Sequence, residues 1–410
     1  MRIGLAREFC HETPWRFMDC PLKEKHRLEP REHITDAVKD CIADVGKRLD
    51  DYNDLIAELV SIDSGEDFPD GILAVEQKLA EQMPGAETRI AWKKTGDAIS
   101  HFKATIPGGQ DRIVLLGHAD TVFKKGTVAE RPFSIKGDCA FGPGVVDMKG
   151  GLVLALAAVK WLKKNNISCP TIEFVVVGDE ETRTSPPPFI EDLTTAATCF
   201  VLECGRPGGG FVVSRKGGVW AKVSAVGFSS HAGTEPERGK NAILALCREI
   251  QRIDALDRLS DDLTLVVGMI SGGTAVNVVP ERAEARIDIR SANKNALEGM
   301  VRCISEFEAH EGVSMGIDTD LSWPSMARGD NEKLIAIYRG IARNTGIKVF
   351  PVSTGGMSDG NWFSHAGVPT IDGLGPIGGL DHGPDEYMEI SSWAMRAGLL
   401  AGTIAALANN

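Results

Sequence analysis

Three short apolar segments, each followed by side chains that can bind a metal ion, constrain the fold of this chain most strongly. Residues 113–116 precede His118 and Asp120, residues 172–177 precede Glu180 and Glu181, and residues 199–202 precede Glu203. Apolar runs of this length are typical of buried strands in a parallel sheet. Because parallel strands share one direction, their carboxyl ends lie at one edge of the sheet, where ligands bind in α/β folds. The sequence therefore predicts an α/β domain with a mostly parallel sheet, flanked by helices, and a ligand site at that edge.

Two further candidate ligands lie in glycine-rich loops. Asp147 belongs to a loop at residues 140–151, just before a predicted apolar helix, where free backbone N–H groups favour a carboxylate. His382 belongs to a second loop, at residues 373–386. With the residues at the strand ends they make a set of two histidines and three carboxylates: His118, Asp147, Glu181, Glu203 and His382.

The composition of this ligand set indicates which ions it binds. Histidine and carboxylate ligands without cysteine suit zinc, cobalt or manganese, and they differ from the thiolates of a structural zinc site. Five ligands are too many for one tetrahedral ion that keeps a water molecule, but they suit two ions that share a bridging carboxylate. We therefore predict two divalent ions, with zinc as the first choice. Asp120 either supports the second ring nitrogen of His118 or points into the same cavity, since alternate residues of an extended backbone point the same way.

A change of pattern near residue 216 predicts an inserted domain. Alternating and helical segments follow one another in the order β-α-β-β-α-β, which is the order of a ferredoxin-like sandwich. Such a domain leaves helices or an edge strand available to a second subunit, so we expect a homodimer. The predicted parts are an N-terminal extension at 1–35, a catalytic domain in two pieces at 36–215 and 328–410, and a ferredoxin-like dimerisation domain at 216–327.

Composition excludes several classes of partner. The chain of 410 residues carries a formal net charge of −12, which disfavours nucleic acid and anionic membranes as partners. Its 9 cysteines form no C-x-x-C pair, a pattern typical of free thiols in a reducing compartment. The N-terminus has no continuous apolar stretch of a secretory signal, and no apolar run is long enough to span a membrane. We therefore predict a cytoplasmic protein that acts on a small molecule.

Seven motifs resemble those of the M20 family of metallopeptidases in order and spacing. The resemblance is to the branch that contains glutamate carboxypeptidases and acetylornithine or succinyl-diaminopimelate deacylases. The motifs are GHADT at 117–121, GPGVVD at 142–147, DEE at 179–181, Glu203, SHAG at 230–233, NVVP at 277–280 and HGPDE at 382–386. They cover the chain from about residue 40 to the C-terminus, and they imply a fold of the zinc-exopeptidase type.

The resemblance also implies how the metal ligands are shared. Asp147 bridges the two ions and is followed by a cis peptide bond, His118 and Glu203 complete one site, and Glu181 and His382 complete the other. Glu180 is implied as the general base, and Asp120 as the acid that orients His118. A free carboxylate beside a metal ligand is also well placed, on chemical grounds, to move the proton of the attacking water.

Further residues are implied to contact the substrate. His231 resembles the histidine that crosses a dimer interface to hold the oxyanion in the neighbouring subunit. Asn277 and Arg290 match positions that bind the substrate carboxylate, a task that suits the fork of a guanidinium group. Gly356, next to Gly355, indicates either a close backbone approach to substrate or a plain turn.

We therefore predict a di-metal hydrolase that cleaves an amide bond next to a free carboxylate, in an N-acyl amino acid or a small peptide. Removal of an acetyl or succinyl group from an N-acyl amino acid is one alternative, and hydrolytic deamination of a small carboxylated aromatic is another. A metal-binding protein without turnover is least favoured, because no ligand or base is missing. Met148 and Trp323 stand where a glutamate carboxypeptidase would be expected to have a second acid and a basic anchor, which weakens the case for C-terminal glutamate.

Overall fold

The computed structural model describes residues 32–96, 98–183, 185–256 and 262–408. Its helices are α1 (Glu32–Lys47), α2 (Leu49–Val60), α3 (Pro69–Glu81), α4 (Thr127–Glu130), α5 (Gly150–Lys164), α6 (Ile190–Leu193), α7 (Ala242–Leu256), α8 (Lys294–Ser305), α9 (Glu332–Thr345), α10 (Gly360–His365) and α11 (Ile390–Leu407). Its strands are β1 (Arg89–Thr95), β2 (Ile99–Ile106), β3 (Gly109–His118), β4 (Ser134–Lys136), β5 (Cys139–Phe141), β6 (Pro170–Val177), β7 (Thr198–Val201), β8 (Gly210–Arg215), β9 (Gly217–Val226), β10 (Thr264–Gly272), β11 (Arg282–Ser291), β12 (Ser314–Trp323), β13 (Phe350–Thr354), β14 (Thr370–Ile371), β15 (Gly378–Gly379) and β16 (Tyr387–Glu389). The predicted N-terminal extension lies outside the described residues except for 32–35, which belong to α1.

A six-stranded sheet in the order β1-β2-β6-β3-β7-β14 forms the centre of the fold. The strands β6, β3, β7 and β14 are parallel, and the hairpin β1-β2 joins their edge in the antiparallel sense. Alternate residues of β3 enter two different cores, Ile113 and Leu115 on one face and Val114 and Leu116 on the other. Burial on both faces explains why this segment reads as a continuous apolar run, and the predicted α/β fold with a mostly parallel sheet is confirmed.

Helices cover both faces of this sheet. On one face α11 packs against α1, α5 and α9, and residues 152–159 of α5 are all buried, as expected for a helix that is apolar on every side. Among the described helices α11 alone is long and apolar enough to cross a membrane, but 67% of it is buried inside the protein. It therefore has the burial of a core helix.

A second, antiparallel sheet is built from the middle of the chain. Its strand order is β10-β11-β9-β12, and α7 and α8 pack on one face over a separate apolar core. The element order β9-α7-β10-β11-α8-β12 confirms the predicted ferredoxin-like topology. Its strands begin at Gly217 and end at Trp323, inside the range 216–327 that the sequence analysis gives for the inserted domain.

Candidate metal centre

The carboxyl ends of β3, β6 and β7 bring the predicted ligands together with those of the two loops. In the first group, Nε2 of His118 lies 3.1 Å from Oδ1 of Asp147 and 3.6 Å from Oε1 of Glu203. In the second group, Nε2 of His382 lies 3.2 Å from Oδ2 of Asp147 and 3.3 Å from Oε1 of Glu181. Within each group the ligand atoms lie within 4.8 Å of one another. The two oxygens of one carboxylate, Asp147, thus face two different histidines.

Local packing sets the position of Asp147. The residue lies in a kinked turn, Val145–Lys149, in which Asp147 and Met148 have non-helical backbone angles before α5 begins, and its peptide bond to Met148 is cis, as the resemblance implies. A Cβ atom at Gly151 would lie 2.1 Å from the carbonyl oxygen of Leu202. The absence of a side chain at Gly151 therefore lets the first turn of α5 approach the end of β7, directly before Glu203.

The centre carries an excess of negative charge. Burial by itself lowers the pKa of His118, but hydrogen bonds to the carboxylates of Asp120, Asp147 and Glu203 raise the pKa well above its usual value. Hydrogen bonds to Asp147 and Glu181 raise the pKa of His382 to about 11. Both imidazoles therefore hold protons at neutral pH when no other cation neutralises the carboxylates.

The pKa values of Asp147 and Glu203 also reflect the excess of negative charge in this centre. Burial raises the pKa of Asp147, but its hydrogen bonds to His118 and His382 lower the pKa far below the usual value. Burial, and next the charge of Asp147, raise the pKa of Glu203 to about 7. Nitrogen and oxygen ligands crowded in this way suit divalent ions such as zinc, so the residues present fit the predicted metal.

Asp120 contacts both His118 and the loop that carries Glu180. Nδ1 of His118 lies 2.9 Å from the backbone oxygen of Asp120 and 3.4 Å from its carboxylate. The carboxylate also accepts the backbone N–H groups of Glu180 at 3.1 Å and Glu181 at 2.9 Å. Asp120 therefore contacts His118 through both its carbonyl group and its carboxylate, and the same carboxylate holds the loop that carries Glu180. Burial raises the pKa of Glu180 well above its usual value.

Glu386 is an important residue of this centre to which the sequence analysis assigns no role. Its buried carboxylate accepts the backbone N–H groups of Gly144 and Val146 at 2.9 Å and of Asp147 at 3.1 Å. These bonds fix the turn that carries the shared carboxylate. The motif HGPDE contains Glu386, and its chemistry gives no sign that this acid binds backbone rather than metal.

The residues predicted to contact the substrate lie in two separate regions of the structure. His231 and Asn277 are exposed and adjacent, since the backbone N–H of Ala232 donates to the carbonyl of Asn277 at 3.0 Å. Arg290 lies apart from them, on strand β11, and forms a two-pronged ion pair with Asp288. It also donates to the carbonyl oxygen of Gly355 at 3.2 Å. The structure thus brings Arg290 to the Gly355–Gly356 loop.

This fold and this ligand set define a metal-dependent hydrolase that acts on amide bonds, as predicted. Residues 114–406 match Peptidase family M20/M25/M40, and the chain therefore belongs to this family.

Two curated relatives are similar over most of the chain. Carboxypeptidase G2 of Pseudomonas sp. (strain RS-16) is 25% identical over 365 residues, which cover 85% of this chain and 87% of that protein. Succinyl-diaminopimelate desuccinylase of Cereibacter sphaeroides (strain ATCC 17025 / ATH 2.4.3) is 27% identical over 304 residues, which cover 67% of this chain and 78% of that protein. Both names belong to the predicted branch of the family.

Solved structures show the same fold. Aminopeptidase PepT from Bacillus cereus ATCC 10987 is similar with a TM-score of 0.74 and 24% identity, over 88% of this chain and 98% of that chain. Human carnosine dipeptidase 1 is similar with a TM-score of 0.69 and 14% identity, over 93% of this chain and 100% of that chain. At these identities the similarity establishes the fold alone.

Proposed function

We propose that the protein is a di-metal amidohydrolase that cleaves an amide bond next to a free carboxylate, in an N-acyl amino acid or a small peptide. One observation carries the proposal: the two oxygens of Asp147 face two separate groups, His118 with Glu203 and His382 with Glu181. That arrangement suits two ions held by one bridging carboxylate. Zinc is the first choice for both ions, with cobalt or manganese as alternatives.

The residues around the centre are assigned separate roles in the reaction. The five candidate ligands, His118, Asp147, Glu181, Glu203 and His382, would hold the two ions, which would polarise the substrate carbonyl and lower the pKa of the attacking water. Glu180 takes the proton of that water and passes it to the leaving amine. Its neighbour Glu181 is a ligand, and the carboxylate of Asp120 holds both backbone N–H groups. These bonds fix the backbone of the loop that carries the base.

His231 is proposed to complete the site of a second subunit. Its Nδ1 accepts the backbone N–H groups of Gly233 at 3.1 Å and Thr234 at 3.2 Å. A neutral imidazole that accepts at Nδ1 carries its proton on Nε2. The exposed ring therefore presents an N–H donor of the kind that stabilises an oxyanion.

The edge of the inserted sheet supports the homodimer that this role of His231 requires. Three apolar residues of β10, Val266, Met269 and Ile270, are 57%, 66% and 57% exposed. An exposed edge strand with such side chains is an unprotected pairing surface in a monomer. We propose that a second copy of the chain covers this surface. A cytoplasmic location is also proposed, since the described cysteines are all unpaired.

A mixing experiment tests the shared site. The variants His231→Ala and Glu180→Ala are each expected to be inactive. Because each mixed dimer contains one intact site, refolding them together in equal amounts should restore activity at about a quarter of all sites. Chromatography must show dimers in every sample, and a mixture of two batches of His231→Ala serves as the control. Absence of recovery in mixed dimers would contradict the shared site.

The region around Arg290 is suited to binding a carboxylate group of the substrate. Arg290 reaches the loop of Gly355 and Gly356, and a guanidinium group suits a carboxylate ligand. Removal of an acyl group from an N-acyl amino acid remains the second candidate, because desuccinylases are among the curated relatives and Met148 follows Asp147 as in the deacylases.

A substrate panel tests the proposed reaction. The metal-loaded protein is incubated with N-acyl amino acids, dipeptides, folate-like conjugates and aminobenzoates, and the products are identified by mass spectrometry. We expect cleavage of an amide next to a free carboxylate. The matched methyl ester should react about 10- to 100-fold more slowly, because a charged hydrogen bond contributes about 1.5–3 kcal/mol. Equal rates for acid and ester, or release of ammonia alone, would contradict the proposal.

A further inference from the structure

A buried arginine fixes the loop that follows β13. We name residues 355–359 the substrate segment, because this loop includes Gly356. Nη1 of Arg215 donates to the carbonyl oxygens of Gly356 at 3.2 Å and Met357 at 3.4 Å. Arg215 is 3% exposed, so these bonds are shielded from competing water.

A second buried arginine joins the other end of this segment to the catalytic loop. Arg183 is 7% exposed, and its Nη2 donates to the carboxylate of Asp359. Its Nη1 donates to the carboxylate of Asp179, the residue directly before Glu180. One guanidinium group thus connects the substrate segment with the loop of the proposed general base.

Asp372 completes the connection between the two arginines. Its Oδ2 accepts Nε of Arg215 at 2.6 Å and the hydroxyl group of Ser358 at 2.6 Å. The substrate segment is therefore held at four successive residues, by backbone contacts at the first two and by side-chain contacts at Ser358 and Asp359. Such a chain of bonds allows little independent movement of the segment.

Stability alone does not account for these buried charges. The desolvation cost of a buried ion pair is comparable with its electrostatic gain, so such pairs contribute little net stability. Nη2 of Arg215 is also buried with no hydrogen-bond partner among the described residues, which adds a further cost. A fixed geometry is the benefit that remains.

We propose that Arg183 and Arg215 are positioning residues, which lock the substrate segment to the loop that carries Glu180. The inference rests on the proposed function, in which the segment lies along the substrate and Glu180 moves the proton. Productive attack needs the reacting atoms about 3–3.5 Å apart, and a displacement of about 1 Å can cost about 100-fold in rate. The two arginines hold the substrate segment and the loop of Glu180 in place, so that the carbonyl group of the substrate and the carboxylate of Glu180 keep this spacing.

The geometry requires arginine rather than lysine at residue 183. Arg183 uses three different nitrogens, since its Nε also donates to the carbonyl oxygen of Ser185 at 3.0 Å. Lysine has a single nitrogen on a flexible stem and cannot hold both Asp179 and Asp359 in the same orientation. Arg183→Lys therefore keeps the positive charge but removes the connection between Asp179 and Asp359.

The variants Arg183→Lys and Arg183→Met are both expected to lower kcat by about 100-fold, with a smaller change in KM and an unchanged metal content. Asp359→Asn should lower kcat similarly. The double variant should be no worse than either single one, because all remove the same connection. Arg252→Met is the matched control. Arg252 forms a half-buried ion pair with Glu249 on α7 of the inserted domain. Loss of this pair should leave kcat within about 2-fold.

Hydrogen exchange supplies a readout that does not depend on turnover. Arg183→Lys should speed amide exchange in both 179–181 and 355–359, whereas Arg252→Met should not. Wild-type kcat in Arg183→Lys, additive losses in the double variant, loss of metal, or unchanged exchange would each overturn the inference. If the wild-type chain hydrolyses no substrate, the proposed function fails, and the exchange experiment still decides whether the two arginines connect the loops.

Discussion

Replacing Glu180 with glutamine is expected to lower kcat by about 10²- to 10⁴-fold, the usual contribution of a positioned general base. Glutamine has nearly the same shape but cannot accept the proton. The metal content is expected to stay unchanged because the proposed ligand is the neighbouring Glu181, and Asp120 can still accept the two backbone N–H groups of this loop. Steady-state kinetics and atomic spectroscopy on the same samples measure both quantities.

The control for this variant is Glu81→Gln, which changes an exposed glutamate at the end of α3. It should leave kcat and metal content unchanged. An active Glu180→Gln variant would remove Glu180 as the base. A variant that loses its metal would instead make Glu180 a ligand.

Replacing Asp147 with alanine is expected to abolish tight binding of both ions, since each of its oxygens faces one of the two groups. Replacing His382 with alanine should remove only the ion of its own group. Metal ions supply several kcal/mol of transition-state stabilisation, so kcat of Asp147→Ala should fall about 10³-fold or more. Calorimetric titration of the metal-free protein with zinc measures the number of sites and their affinities.

The exposed His365, at the end of α10, provides the matched control. His365→Ala should bind two ions with the affinity of the unchanged protein. If Asp147→Ala keeps one ion at full affinity, Asp147 does not bridge. If His382→Ala loses both ions, the two groups are not separate sites.

Much of the fold and the convergence of the candidate ligands could be predicted because the relevant signals are local. The segments 113–116 and 172–177 are apolar on both faces, which identifies strands buried between two layers of helices. Parallel direction then places the residues after these strands at one edge, where His118 and Glu181 are found. The period of α7 and α8 likewise identifies helices that cover one face of a sheet.

Contacts between distant parts of the chain could not be predicted in this way. Glu386 and Asp147 are 239 residues apart, and Arg183 and Asp359 are 176 residues apart. No periodic pattern marks such pairs, since an acid that binds backbone N–H groups looks in the sequence like one that binds metal. The strands β15 and β16 carry no signal in the sequence, because two or three residues are too few to show alternation.

The contact between Asp120 and His118 shows a further limit. The sequence places the two residues on the same side of an extended segment, and from this either a carboxylate–imidazole contact or a carboxylate directed into the same cavity is expected. In the structure the Asp120 carboxylate lies 3.4 Å from Nδ1 of His118, and the carbonyl oxygen of Asp120 is an additional, nearer partner at 2.9 Å. The backbone of a loop offers its own acceptors, and a pattern of side chains does not reveal them.

The protons held by His118 and His382 make metal uptake an ion-exchange reaction. An arriving cation must displace them into the solvent, so acidification opposes loading and alkaline conditions favour it. We therefore expect zinc to bind more tightly as the pH rises, with release of protons from both imidazoles.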